Sequence, residues 1–205
     1  RLREGFPGAG LYATSYFFDM RAKRRTPRFS GFRKGFCGII PDYFRCALHD
    51  LPVISSAAAV ERGVFDDVGL FKEGEALGED QDMWCRIALR YPVAYCAKPC
   101  AVYYMGTENS VCQNKKITQP YPVMQTLRRA IAESENGRKK SMRLYLAKLH
   151  IDYAVRLIRA RRFKDVLAEL GKAPACMPIL RVRALWYMVK EWALMAKEAF
   201  VRPQA

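Results

Sequence analysis

The chain has 205 residues, 51% of them hydrophobic, with a formal net charge of +15 at pH 7 and an isoelectric point near 9.7. This composition excludes a disordered tail and is sufficient for one good core or two small ones. The positive balance asks for an anionic partner, which can be nucleic acid, a phosphorylated substrate or an acidic membrane face, and charge alone does not choose among them.

Residues 1–117 carry 17 Lys and Arg against 13 Asp and Glu, and residues 118–205 carry 18 against 7, so the excess gathers in the C-terminal part. The seven cysteines include no C-x-x-C pair and mostly sit in apolar runs. They read as buried free thiols of a reducing compartment. Cys96, Cys100 and Cys112 offer sulfur for zinc, but His49 and His150 are remote in sequence, which disfavours such a site. No run of about 18 uncharged apolar residues is present, as a membrane-spanning helix would need.

In chain order, residues 1–10 read as the tail of a helix followed by a Gly/Pro turn. The aromatic and β-forming run Leu11–Phe18 predicts a buried strand. Arg21, Lys23, Arg24, Arg25 and Arg28 then predict a solvated hairpin tip, with contact to a phosphate as the functional alternative. Glycines among aromatics in 29–38 suit a loop beside a cleft, and 41–48 suits a short helix with Pro in its first turn. Residues 52–60 predict a strand whose small side chains leave room for a packed helix or a cleft wall. A short helix over 62–68 ends at Gly69. Gly78 permits a sharp turn, after which Glu79 and Asp80 take cap and first-turn positions that favour carboxylates. Trp84, Ile87, Ala88 and Tyr91 recur at helical spacing, and Asp82 and Arg86, four apart, can pair on another face. Strands are expected at 93–97 and, continuing extended, at 101–105, with a turn at 107–112. From residue 118 helical patterns dominate, over 123–133, 138–159, 163–170 and 179–201. Val182, Leu185, Trp186 and Val189 belong to an apolar stripe of the last helix that predicts core packing, with a membrane-interface helix as the alternative.

Three stretches share one order: Arg62, Phe65, Val68, Gly69 and Phe71, spaced as R-x-x-F-x-x-V-G-x-F; Gly78, Glu79, Asp80, Asp82, Trp84 and Arg86, spaced as G-E-D-x-D-x-W-x-R; and Asn109-Ser110 after a short strand. This resembles the second half of family 2 glycosyltransferases of the GT-A fold, over roughly residues 5–113 and most densely over 55–99. The resemblance implies an α/β chain: residues 1–117 as the acceptor-side half of a GT-A domain, with a few-stranded mixed sheet and helices, and 118–205 as a basic α-helical C-terminal region. The family's nucleotide-binding βαβ units have no counterpart here, and the only Asp-x-Asp, Asp80-Gln81-Asp82, stands at a helix start, the wrong context for that motif. The chain is therefore expected to be a fragment of a longer enzyme and inactive alone.

By the same resemblance the parent transfers a single sugar, with inversion, from a nucleotide-diphosphate donor to a glycan or lipid-linked acceptor in surface polysaccharide synthesis. It would work at the cytoplasmic face of the membrane with peripheral membrane contact. Asp80 is the implied catalytic base and Glu79 an acceptor-binding or orienting group, with Gln81, Asp82 and Trp84 as further acceptor-binding candidates. The divalent cation, Mg or Mn, would be held by ligands mostly outside this chain. Two departures matter. Gly106 stands about where many relatives place a His near the diphosphate, and no Gln-x-x-Arg-Trp sequence of processive synthases occurs. The rival reading is a basic helical module that binds nucleic acid or acts as a scaffold. Scattered cations and the lack of a nucleic-acid motif count against nucleic acid.

Overall fold

The computed structural model describes residues 1–20, 23–31, 33, 35–105, 111, 119–134 and 137–172, and then 182, 185, 186, 188–190 and 193. Its elements are α1 (Leu2–Gly5), β1 (Leu11–Asp19), β2 (Arg24–Arg25), β3 (Cys37–Ile39), α2 (Tyr43–Cys46), β4 (Ala58–Val60), α3 (Val64–Val68), α4 (Glu79–Arg90), β5 (Val93–Tyr104), α5 (Pro122–Glu133), α6 (Lys139–Arg159) and α7 (Phe163–Lys172). The fold is mixed α/β, as its sequence predicts.

The sheet is built on β1 and β5, which run parallel with a register shift around Ser15. β3 pairs antiparallel with β5, while β2 and β4 pair antiparallel with opposite ends of β1. Alternation divides the faces of β1: Leu11 and Ala13 enter the main core, and Tyr12 packs with Ala9, Ala94, Leu2 and Phe6 on the other side. At the start of β1 the backbone passes so close to Tyr91 that a Cβ on Gly10 would sit 2.7 Å from the Tyr91 Cβ, which requires glycine there.

The main core also takes Phe44 of α2, Met83, Trp84 and Ile87 of α4, Leu127 of α5, and Met142, Tyr145 and Leu149 of α6. α5 and the first half of α6 are therefore packed into the same core as the sheet. The second half of α6 forms another cluster with α7 through Ile151, Leu157, Ile158 and Val166. Between them a buried polar joint holds the helices: His150 Nδ1 meets Glu169 Oε1 at 2.6 Å, Lys172 Nζ meets Glu169 Oε2 at 2.8 Å, and Arg128 reaches His150 Nε2 at 3.3 Å.

Several expectations change. The strand predicted over 52–60 is reduced to Ala58–Val60, because Ser55–Ala57 turns as a 3₁₀ segment in which the Ala57 N–H donates to the Ile54 carbonyl. That run lacks the β-branched side chains that favour an extended chain. The hairpin tip is tethered: Arg24 pairs with Asp19, and Arg25 pairs with Asp50 at 2.6 Å while lying over the Phe18 ring. Of the described cysteines Cys46 and Cys85 are buried, but Cys37 and Cys100 are exposed and Cys96 is intermediate. In the last helical stretch Met188 packs against the second cluster, whereas Val182, Leu185, Trp186 and Val189 are exposed, contrary to core packing. The turn at 107–112 lies outside the described residues except for Val111. Among the described residues no helix is long and apolar enough to cross a membrane.

Candidate functional site

Helix α4 starts where its sequence predicts. Gly78 holds φ +85°, a conformation other residues resist, and Glu79, Asp80 and Asp82 fill the first turn. A Cβ at position 78 would also lie 3.2 Å from the Tyr121 ring, so the turn is fitted against the lead-in to α5.

The acids of this turn have different surroundings. Asp82 is 0% exposed. Its Oδ2 receives Arg86 Nε at 3.0 Å and Lys72 Nζ at 3.2 Å, and its Oδ1 accepts the Thr126 hydroxyl. Arg86 continues the network to the carbonyls of Val68, Gly69 (3.1 Å) and Leu70 (2.9 Å). A carboxylate removed from water in this way needs charged and hydrogen-bonding partners, and Asp82 has both. The Asp82–Arg86 pair expected on another face of the helix does form, but internally, and it ties α4 to α5 and to the loop after α3. Trp84 is 3% exposed, edge-on to Phe71 with ring centroids 5.9 Å apart. As placed, Asp82 and Trp84 hold the helix and present no surface to a ligand.

Glu79, Asp80 and Gln81 are part-buried. Among the described residues Asp80 meets no cation at ion-pair distance, and its Oδ1 accepts the Gln81 N–H at 2.7 Å. Burial raises its proton affinity above the ordinary carboxylate value; that hydrogen bond opposes the shift and the Glu79 charge adds to it. Its charge is felt at two phenols inside the core, Tyr43 and Tyr145, whose pKa values are pushed well up, chiefly by burial. Neither hydroxyl has a hydrogen-bond partner among the described residues. Sequence reading misses both tyrosines, as well as Lys72 and Thr126. Asp42, which caps α2 by accepting the Arg45 N–H at 3.0 Å, is the one local signal near Tyr43.

The described residues form several clefts, among them the following three. One of about 460 Å³ lies along the C-terminal half of α4 and is lined by Asp67, Arg90, Arg129 and Arg138 among others. A second, of about 410 Å³, lies beside Glu73, Glu75 and Arg128, and a third, of about 310 Å³, lies beside Ile39, Pro41 and Tyr91. None of the three is lined by Glu79, Asp80 or Gln81. Among the described residues no three His, Cys, Asp or Glu side chains gather as a cation site requires. The divalent cation that the resemblance implies would have its ligands mostly outside this chain, so this count does not bear on it.

No protein-family model matches the chain, and neither a curated protein nor a solved structure is significantly similar to it.

Proposed function

We propose that the chain is the acceptor-side half of a GT-A-type glycosyltransferase similar to family 2, with Asp80 as the general base. The observation that carries the reading is the setting of Asp80: a part-buried carboxylate with raised proton affinity and no cationic partner among the described residues, at the first turn of a helix anchored through Asp82 and Trp84. A carboxylate of that kind is suited to taking a proton, whereas one locked in an ion pair is not.

In this reading the acceptor hydroxyl approaches the Asp80 Oδ2, because Oδ1 is held by the Gln81 N–H. Its proton passes to the carboxylate as its oxygen bonds to the anomeric carbon, and the nucleotide diphosphate leaves from the opposite face. Glu79 and Gln81 flank the acceptor; Asp82 and Trp84 act as positioning residues. The donor and the divalent cation would be held by parts of the parent enzyme outside this chain. The exposed side chains of Val182, Leu185, Trp186 and Val189, in a strongly basic region, support peripheral contact with the inner face of a membrane and thereby access to a lipid-linked acceptor.

Losing a general base costs about a hundred- to ten-thousand-fold in rate. In the complete parent enzyme Asp80→Asn is expected to bind donor and acceptor normally and to transfer sugar at least about a hundredfold more slowly. Near-normal turnover by that variant removes the assignment.

A further inference from the structure

Cys37 on β3 and Cys96 on β5 stand opposite one another in the antiparallel ladder. The neighbouring bonds show what kind of pair they form. The Ala97 N–H donates to the Phe36 carbonyl at 2.7 Å and the Ile40 N–H to the Val93 carbonyl at 2.8 Å. Hydrogen-bonded and non-hydrogen-bonded pairs alternate along such a ladder, so 36/97, 38/95 and 40/93 are the former and Cys37/Cys96 is the latter. In non-hydrogen-bonded pairs the Cα atoms approach to about 4.5 Å and the side chains lie closest. A disulfide needs Cα atoms about 4.4–6.8 Å apart.

The Cys96 thiol opposite is the largest of the influences that raise the proton affinity of Cys37, as expected of facing thiols. They are also within reach of solvent: Cys37 is exposed, Cys96 is intermediate, and β3 is an edge strand. Other described thiols lack this combination. Cys46 is buried and donates to the Ser30 carbonyl at 3.1 Å, Cys85 is buried in the main core, and Cys100 is exposed but has no opposite residue on β3.

We propose that Cys37 and Cys96 form a thiol–disulfide exchange site through which a small glutathione-type disulfide cross-links the edge strand β3 to β5. The Cys37 thiolate attacks one sulfur of the oxidant, forming a mixed disulfide and releasing one thiolate. The Cys96 thiolate then attacks Cys37 Sγ, closing the protein disulfide and releasing the second. The two cysteines are oxidised, the oxidant is reduced to two thiols, and the two cysteine protons end on those products. A reducing dithiol reverses the sequence. The site is independent of the glycosyltransferase reading, since it needs neither a donor nor Asp80.

The test treats the full folded chain with oxidised glutathione near pH 8.5, blocks remaining thiols with iodoacetamide, and maps disulfides by peptide mass spectrometry. The expected result is one dominant Cys37–Cys96 cross-link in the wild type and in Cys100→Ser. Cys96→Ser should stall with glutathione on Cys37. In denaturant the preference for this pairing should vanish. Cys37 and Cys96 recovered mainly alkylated, or mainly as separate glutathione adducts in the folded wild type, overturns the proposal, and so does equal pairing of Cys96 with Cys37 and Cys100.

Discussion

Asp82→Ala isolates the network that holds α4 in place. The substitution removes a carboxylate that is 0% exposed and leaves Lys72, Arg86 and the Thr126 hydroxyl without their shared acceptor. Breaking a buried ion pair by removing one member costs about 3–5 kcal/mol, because the remaining charge stays in a poorly solvated place. Two details favour the lower end. The Lys72 side chain is 37% exposed and water screens its share, and Arg86 keeps its bonds to the 68–70 carbonyls. The expected loss is about 3 kcal/mol, which for a chain of this size lowers the melting temperature by about 6–12 °C. Urea unfolding followed by far-ultraviolet circular dichroism gives the free energy, and a cycle with Arg86→Ala gives the coupling. A loss below about 1 kcal/mol, the worth of a surface pair, refutes the internal network.

Gly78→Ala should destabilise the chain by about 1–2 kcal/mol, since alanine must adopt φ +85° and its Cβ crowds Tyr121; an unchanged urea midpoint contradicts the turn. Asp80→Asn should leave stability at pH 7 unchanged or raised. With its folded pKa raised by burial, the group's stabilising share is full in acid, below about pH 4, and is lost as pH rises through the folded value, so the ionised carboxylate is a net cost at neutrality. A lower melting temperature at pH 7 would instead mark Asp80 as a stabilising helix cap. His150 should titrate below its ordinary value. Burial outweighs the Glu169 carboxylate, and Arg128, which can only donate, faces Nε2 and so favours the neutral ring with its proton on Nδ1. Its contribution to stability is then full above about pH 6.5 and is lost as pH falls toward the folded pKa. An imidazole pKa above about 6.5 by NMR titration excludes that neutral joint.

Local chemistry made much of the fold legible. The start of α4 is written in Gly78 and three acids, and the central strands in the runs around Tyr16 and Tyr95, because a left-handed glycine, first-turn carboxylates and β-forming side chains act within a few residues. Spacing also pairs Asp82 with Arg86, but spacing has no means of saying which face is inside. That depends on Lys72 and on Thr126, which comes from α5. Tyr43 and Tyr145 likewise meet only in the folded core, through α2 and α6. Helical geometry then separates two acids that read alike in sequence. At about 100° per residue, Asp80 and Asp82 lie about 200° apart around α4. Once Asp82 is drawn inward by Lys72, Arg86 and Thr126, Asp80 is turned away from those cations. The same rotation that makes one carboxylate a structural anchor keeps the other out of that ion-pair network, and a variant that severs Asp82 should therefore disturb the setting of Asp80 as well.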